Sequence, residues 1–461
     1  MIRWTRPAAA LAALVLIVSA CGGAASPAPP SAPPSVAPSV APSAAGSEAP
    51  STAPTASPAP SYDTTPVTIT VWDYYGEATP VKPALAGFQA EYPWITVKYE
   101  ALDWDSMNEK FAVGVAAGAA PDVATLDMTW IPTLASNGVL EDLSALSGGM
   151  LNGKPIADQY APGGNEAMQY EGKYVTMLFD FDAYALYYRA DLFAKKGIAV
   201  PKTWDELRSA AKALAEDTNG DGKPDKYLYQ VWPDTFHWAQ FLFQNGGAIL
   251  NTDNTAAAFN GAEGVAALEY YRSLITDKGG IYWGPDQGDQ MAAFKDGTIG
   301  MFQNGPYVMG LLKSGAPEMT GMWKVAPAPY SKQAGSYLGG TGLGIPTAAS
   351  HKQAAWLFIE YMLRPEQEVG VFTLAGAAPA TTASLESSEL TKADPYFGGD
   401  APFATFLDTM KTATHFPYVK AWSEIQTPTI DDAVAAALLG QSSAKEALDA
   451  AAEETNTLLM K

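Results

Sequence analysis

The loop at residues 217–225, DTNGDGKPD, has the spacing of a calcium-binding loop. Its DxNxDG start puts oxygen-bearing side chains at alternate positions, with Gly222 where such loops turn sharply. The expected ligands are Asp217, Asn219, Asp221, Lys223 through its carbonyl, and Asp225. Leu228 stands where a bidentate Glu is expected and offers no side-chain oxygen. We therefore predict a structural calcium site, and a polar loop without metal is the alternative.

Asp180 and Asp182 form a second candidate pair, because they flank Phe181 in a stretch that is expected to be extended. Alternate side chains of a strand point to the same side, so the two carboxylates should share one face. Carboxylates there could accept hydrogen bonds from a ligand. A solvated pair is the alternative.

The residues required by several enzyme mechanisms are missing from the sequence. The three histidines, His237, His351 and His415, are scattered and form no HExxH motif. Neither GxSxG nor GxxxxGK[ST] occurs, so any ATP hydrolysis must belong to a partner. Aspartate and glutamate are plentiful, which leaves a glycosidase with a carboxylate pair open.

The single cysteine, Cys21, follows a basic start and an apolar run at residues 8–18. Residues 18–21, VSAC, resemble the lipobox of bacterial lipoproteins, which implies cleavage before Cys21 and acylation of its thiol. We predict a signal peptide at residues 1–20 and a lipid anchor at Cys21. The alternative is an ordinary signal peptide that happens to end near a cysteine.

Residues 21–62 consist almost entirely of Ala, Pro and Ser after the cysteine, which predicts a disordered tether. The remaining ~400 residues exceed one ordinary domain and suggest two lobes. The formal net charge of −21 argues against nucleic acid and anionic lipid headgroups as partners. No later stretch is apolar and long enough to predict a membrane helix.

The elements that must position these residues alternate between strands and helices. Residues 67–72 alternate like a strand, 81–91 predict a helix and 95–99 a second strand, which together give a βαβ start. A helix over 107–117 and a strand over 121–128 follow. Capping signals predict further helix starts at Thr203–Glu206, Asn260–Glu263, Ser350–Gln353 and Ser443–Glu446. The class is therefore α/β.

Several segments together resemble the extracellular solute-binding proteins of ATP-dependent importers, in particular the carbohydrate-binding group that includes maltose-binding proteins. Each segment is weak alone, but their order and spacing cover nearly the whole folded part. The segments lie at residues 116–146, 172–207, 243–251, 294–308, 338–363 and 376–380.

The resemblance implies a bilobed, type II binding-protein fold, with two doubly wound α/β lobes joined by a hinge of several strands. It assigns residues 63–180 and 328–378 to an N-terminal lobe, and 181–327 and 379–461 to a C-terminal lobe. The chain would cross between the lobes near residues 179–182, 323–327 and 378.

The resemblance also implies a ligand cleft between the lobes. A sugar there needs ring faces for its C–H surface and carboxylates or amides for its hydroxyls. The candidate ligand-binding residues are Trp72, Tyr74, Asp127, Trp130, Asp180, Asp182, Tyr229, Trp232, Trp238, Trp283, Asn304, Tyr307, Gly340 and Thr341. Burial in the core is the alternative for each aromatic residue.

These observations predict a lipid-anchored, non-enzymatic receptor on the outer face of the membrane. It would capture a sugar or oligosaccharide and deliver it to an ABC permease with ATPase subunits, and act as a monomer without a required cofactor. The alternatives are a surface glycoside hydrolase, or a receptor for another solute such as a polyol, a polyol phosphate, a polyamine or a peptide.

Overall fold

The computed structural model describes residues 62–75 and 81–461. The predicted signal peptide, Cys21 and nearly all of the predicted tether lie outside these residues. Within the two described ranges, we find no helix with the length and apolarity needed to cross a bilayer.

The folded part starts with the predicted βαβ unit. Val67–Asp73 pairs in parallel with Ile95–Ala101 on one side and with Val123–Asp127 on the other. The connecting helix, Leu85–Glu91, is shorter than predicted because a 3₁₀ turn at Lys82–Ala84 precedes it. All three strands run in one direction, so their carboxyl ends share one edge of the sheet.

In the described part of the chain, the strands form two large sheets and two short hairpins. From one edge to the other, the first sheet contains Ala378–Pro379, Met177–Ala183, Ser336–Gly344, Val123–Asp127, Val67–Asp73 and Ile95–Ala101, with Ala413–His415 also beside Ser336–Gly344. The second sheet contains Gly280–Tyr282, Leu228–Val231, Ile299–Asn304, Ala185–Arg189 and Trp323–Ala326. The hairpins pair Met150–Leu151 with Lys154–Pro155 and Gln169–Tyr170 with Lys173–Tyr174.

Helices cover the sheets and fill the connections between strands. The α-helices are Leu85–Glu91, Trp104–Ala116, Ile131–Ser136, Leu143–Ser147, Pro162–Ala167, Ala190–Lys196, Trp204–Leu214, Thr235–Gln244, Ala262–Thr276, Gln290–Lys295, Tyr307–Gly315, Lys352–Met362, Pro365–Ala375, Thr382–Leu385, Pro402–Met410, Trp422–Glu424, Asp431–Leu438 and Ala444–Leu459. Strands alternating with helices confirm the α/β class.

The two sheets belong to two lobes, and the chain passes between them repeatedly. It first leaves the first sheet at Tyr184, which separates Met177–Ala183 from Ala185–Arg189. It returns between Trp323–Ala326 and Ser336–Gly344. The lobe boundaries stay a prediction. Ala413–His415, in the segment assigned to the C-terminal lobe, pairs with the first sheet.

The second lobe has two apolar cores, and many of its large aromatic side chains are buried in them. One core surrounds Trp238 and Trp422, which are fully buried, and takes in the C-terminal helices. The other contains Trp323 and Phe302, whose rings lie 5.5 Å apart edge to face. Close packing of this kind restricts the side chains within each core.

The helix starts agree with the capping signals in two cases. Thr203 and Ser443 each form a complete capping box with the glutamate three residues on. The helices predicted at Asn260–Glu263 and Ser350–Gln353 also begin within those ranges, at Ala262 and Lys352, but neither has a side-chain cap. At the second of these helices, the carboxylate of Asp122 accepts a hydrogen bond from the backbone N–H of His351 at 3.1 Å. A distant side chain therefore serves the orphan donor that a local cap would serve.

Gly340 lies in the central strand Ser336–Gly344, opposite Phe181 of the neighbouring strand Met177–Ala183. Its φ is +142°, and a Cβ there would collide with the carbonyl oxygen of Asp180 on the neighbouring strand. This close approach places Thr341 opposite both Asp127 and Asp180. Only glycine fits a backbone of this kind without strain.

We predict that Gly340→Ala lowers the free energy of unfolding by about 2 kcal/mol or more, because both the backbone conformation and the space are unsuitable for a side chain. The matched control is Gly370→Ala, in a helix and with open space around its Cβ, which should be neutral or stabilising. Urea unfolding followed by circular dichroism measures both variants. Equal stabilities of the two variants would contradict the claim that position 340 requires glycine.

Candidate ligand-binding site

A cavity of about 390 Å³ lies where the first sheet meets helices of the second lobe. Its volume is within the range of about 300–1,000 Å³ that is usual for small-molecule sites. The first lobe contributes residues at the ends of Val67–Asp73 and Val123–Asp127, while the second contributes Tyr307–Gly315 and the start of Thr235–Gln244. The lining residues are Tyr74, Tyr75, Trp104, Asp127, Asp180, Asp182, Tyr184, Phe236, Tyr307, Leu311, Tyr337, Gly340, Thr341 and Ala375.

Asp180 and Asp182 both line this cavity, as strand alternation predicts, but their surroundings differ. The Oδ1 atom of Asp180 accepts a hydrogen bond from the backbone N–H of Thr341 at 2.8 Å, and its Oδ2 atom accepts one from the hydroxyl of Tyr75. Asp182 has no hydrogen-bond donor among the described residues. The protein therefore holds the Asp180 carboxylate through two hydrogen bonds, which is not the case for Asp182 within the described residues.

The carboxylates shift one another's protonation. Burial and the charge of Asp182 raise the pKa of Asp180 well above its usual range. Burial and the charge of Asp127 raise the pKa of Asp182 to about 7. Burial also raises the pKa of Asp127. Among the residues that the structure describes, the lining of the cavity contains three carboxyl groups and no Lys, Arg or His.

Aromatic rings surround these carboxyl groups from both lobes. Tyr74 and Tyr75 stack with ring centroids 5.0 Å apart, and the Tyr74 hydroxyl lies 2.5 Å from Oγ1 of Thr341. Trp104 donates from Nε1 to the Oδ2 atom of Asp127 at 3.1 Å. Phe236 contacts Tyr337 edge to face at 5.2 Å on the other side. Ring faces next to carboxylates suit a guest that is apolar on its faces and polar at its edges.

The structure brings together half of the residues that we predict to bind ligand. The cavity is lined by Tyr74, Asp127, Asp180, Asp182, Tyr307, Gly340 and Thr341. It is not lined by Trp72, Trp130, Tyr229, Trp232, Trp238, Trp283 and Asn304. A ligand role for any of these residues stays a prediction.

The seven residues outside the lining have other neighbours. Trp130 lies behind Tyr74, with ring centroids 5.7 Å apart, and so supports the cavity wall. Trp72 lies on a buried strand under the ammonium group of Lys110, and Trp238 and Trp283 belong to the two cores of the second lobe. The Tyr229 hydroxyl accepts a hydrogen bond from Gln303, the Asn304 side chain accepts one from its neighbour's N–H, and Trp232 stacks on His237.

Seven lining residues were missed by the sequence reasoning, namely Tyr75, Trp104, Tyr184, Phe236, Leu311, Tyr337 and Ala375. Two of them carried a usable signal. Tyr75 follows a strand together with Tyr74, and Trp104 follows the carboxyl end of Ile95–Ala101, where ligands bind in open α/β sheets. The others lie on helices or crossing segments, whose facing depends on the packing of the lobes.

The predicted calcium loop folds around its own backbone. Asp217 accepts hydrogen bonds from the N–H groups of Gly220 at 2.6 Å and Gly222 at 2.7 Å. Asn219 and Asp221 accept similar bonds from residues two positions on. Among the described residues, no three His, Cys, Asp or Glu side chains are grouped closely enough to hold a metal ion. Calcium binding stays a prediction from the motif, which titration with CaCl₂ would test.

Sequence comparisons identify a family and several relatives of this protein. A family model described as "Bacterial extracellular solute-binding protein" matches residues 74–369. A binding protein of Brucella abortus is 26% identical over 411 residues, which cover 87% of this chain and 95% of that protein. The diacetylchitobiose-binding protein DasA of Streptomyces coelicolor is 26% identical over 372 residues, covering 78% of this chain and 82% of that protein.

Solved structures agree with the sequence relatives. The solute-binding protein of an ABC transporter from Thermotoga lettingae, solved with α-D-tagatose, is 26% identical and superposes with a TM-score of 0.75, covering 85% of this chain and 99% of that chain. The GacH receptor of Streptomyces glaucescens, solved with and without acarbose, is 25% identical with a TM-score of 0.74, covering 86% of this chain and 98% of that chain. The fold is the bilobed, type II binding-protein fold. The family model matches most of the chain, and the protein has a ligand-sized cavity between its lobes. This protein therefore belongs to the bacterial extracellular solute-binding proteins.

Proposed function

We propose that the protein captures a sugar or oligosaccharide between its lobes and delivers it to the permease of an ABC importer, whose ATPase subunits supply the energy. The observation that carries the proposal is the cavity between the lobes, where ring faces surround carboxyl groups. A sugar presents C–H faces to the rings and hydroxyl donors to the carboxylates. The ligands named for the relatives, tagatose, acarbose and diacetylchitobiose, support this class.

Ligand capture follows from the division of the lining between the lobes. Asp180 and Thr341 belong to the first sheet, whereas Tyr307 and Phe236 belong to helices of the second lobe. A ligand that contacts both sets stabilises the closed arrangement, because the open arrangement offers it only one set. The permease then binds the closed, ligand-loaded form of the receptor. We expect the receptor to act as a monomer.

We further propose that the protein is exported and held at the outer face of the membrane by a lipid on Cys21. The family is extracellular, which supports export. The anchor follows from the lipobox-like residues 18–21. Loss of palmitate labelling in Cys21→Ser tests this assignment.

We propose binding without catalysis. A retaining or inverting glycosidase needs one carboxyl group as acid and another as nucleophile or base, both free to reach the glycosidic bond. Both oxygens of Asp180 already accept hydrogen bonds from Thr341 and Tyr75, and both oxygens of Asp127 accept them from Thr129 and Trp104, which leaves only Asp182 of the three carboxyl groups. Incubation with oligosaccharides followed by chromatography should therefore show no cleavage, and released shorter products would establish the hydrolase instead.

A second candidate function is the capture of a cationic amine such as a polyamine. The favouring observation is that three carboxyl groups line the cavity and that no Lys, Arg or His from the described part of the chain joins them. An ammonium group would pair with them directly. The ring faces and the relatives' ligands favour a sugar over this alternative.

We predict that a thermal-shift screen over sugars, polyols, polyamines and peptides identifies at least one neutral sugar as a stabilising ligand. At a hundredfold excess over its Kd, binding contributes about 2.7 kcal/mol and should raise the Tm by about 3 °C. A screen in which only cationic amines stabilise the protein would refute the sugar assignment and establish the second candidate.

We predict that Asp182→Asn stabilises the ligand-free protein at pH 8 and weakens sugar binding. Because folding raises the pKa of Asp182 to about 7, stability of the wild type falls as pH rises from about 4 to 7, and Asn cannot ionise. The gain should be about 4 kcal/mol at pH 8 and small at pH 4 in urea unfolding. Sugar affinity should fall about tenfold, since a charged acceptor is lost.

The matched control is Asp253→Asn, an exposed aspartate outside the cavity that undergoes the same change of charge. It should alter neither the pH dependence nor the affinity. If both variants gave the same pH profile, Asp182 would have no special environment.

A further inference from the structure

The side chains of the cavity that carry charge at neutral pH are all acidic within the described residues. Asp127, Asp180 and Asp182 line the cavity, and no described Lys, Arg or His joins them. Residues 76–80, which follow Tyr75 and lie outside the described residues, have the sequence GEATP and contain no basic residue either. An anionic guest would therefore meet like charge, whereas a guest with a positive group would meet opposite charge.

The three carboxyl groups differ in how far the protein satisfies them. Asp180 accepts a hydrogen bond from the Thr341 N–H at 2.8 Å. Asp127 accepts one from the Trp104 Nε1–H at 3.1 Å. Asp182 receives none from the described residues, and it is partly exposed in the cavity lining, whereas Asp180 is buried. A positive group on a guest would therefore pair with Asp182.

The Asp182 carboxylate lies close to an aromatic ring of the second lobe. A Cβ atom at Gly305 would lie 2.5 Å from Oδ1 of Asp182 and 3.1 Å from Cδ1 of Tyr307, so the two side chains approach each other at this glycine. Tyr307 also lines the cavity. Aromatic rings attract cations as well as the C–H faces of sugars. A cation paired with Asp182 would therefore lie near the Tyr307 ring.

We propose that the preferred ligand is a sugar with a free, protonated amino group, such as a hexosamine or a short chain of hexosamines. The proposal rests on the proposed function, and it selects one class among the sugars. The rings contact the C–H faces of such a sugar, while its ammonium group donates a charge-assisted hydrogen bond to Asp182. A uronic acid or a sugar phosphate would add a further negative charge and is selected against.

The protonation of Asp182 agrees with this preference. Burial and the charge of Asp127 raise the pKa of Asp182 to about 7, so the ionised form is disfavoured in the free protein. A neutral hydroxyl group stabilises the ionised form by a hydrogen bond alone. An ammonium group stabilises it by a hydrogen bond and by opposite charge, which gives the amine-bearing sugar its advantage.

Calorimetric titration at pH 7 with sugars matched in shape but not in charge tests the proposal. Cellobiose, diacetylchitobiose and chitobiose, the disaccharide of glucosamine, share one linkage, and only chitobiose has free amino groups. Glucose, glucosamine and glucuronate give the same comparison for one ring, and the galactose and mannose pairs extend it to other hexoses. In the series that binds, we expect the amine-bearing sugar to bind about tenfold more tightly than its neutral counterparts. Glucuronate should not bind measurably.

Asp182→Asn removes the proposed partner of the ammonium group and keeps the size of the side chain. Chitobiose and cellobiose should then bind with affinities within about twofold of each other. The ratio of the two affinities is the readout, because a general distortion of the cavity would weaken both sugars alike. Asp253→Asn, an exposed aspartate outside the cavity, should keep the wild-type ratio.

Three results would overturn the amine preference and leave sugar binding standing. They are binding by neutral sugars alone, equal or tighter binding of the neutral member in the matched pairs, and a ratio that Asp182→Asn leaves unchanged. Absence of binding by every sugar, with or without binding of spermidine as a non-sugar amine, would overturn the proposed function and this inference together.

Discussion

The site depends on the burial of several carboxyl groups around the strand that leads from the first sheet to the second. Removing carboxylates from water is costly unless hydrogen bonds or cations replace the water. Asp180 receives such bonds from Thr341 and Tyr75, whereas Asp182 receives none from the described residues and is raised in pKa by burial and by Asp127. Under the proposed function, hydroxyl groups of a sugar would donate hydrogen bonds to the Asp182 carboxylate.

The rest of the fold holds this arrangement in register. Gly340 lets two strands approach closely enough to put Thr341 between Asp127 and Asp180. The second lobe is stiffened by its buried aromatic cores, so Tyr307 and the helix that carries it are presented as one body. Under the proposed function, the two lobes move relative to each other about the crossing strands and enclose the ligand.

Local signals predicted the parts of this structure that depend on neighbouring residues. Alternation predicted a strand over residues 67–72, which the structure shows as Val67–Asp73, and the spacing of Asp180 and Asp182 predicted their shared face. The distribution of aromatic residues could not be predicted in the same way. Tryptophan is a residue type that suits a ligand cleft, but Trp238 is fully buried because its helix is enclosed by the second lobe. Phe236, two positions earlier, faces the cavity. Only the packing of both lobes decides which of the two meets a ligand.

The central claim is that hydroxyl groups of the ligand donate hydrogen bonds to the buried carboxyl groups. The number of protons released or taken up on binding tests this claim most directly. Titration calorimetry of a stabilising sugar at pH 7, in buffers of different ionisation enthalpy, measures this exchange. In the free protein the pKa of Asp182 is about 7. Hydroxyl donors favour its ionised form, so binding should release up to about half a proton per sugar. Proton uptake, or binding without any proton exchange, would contradict the account.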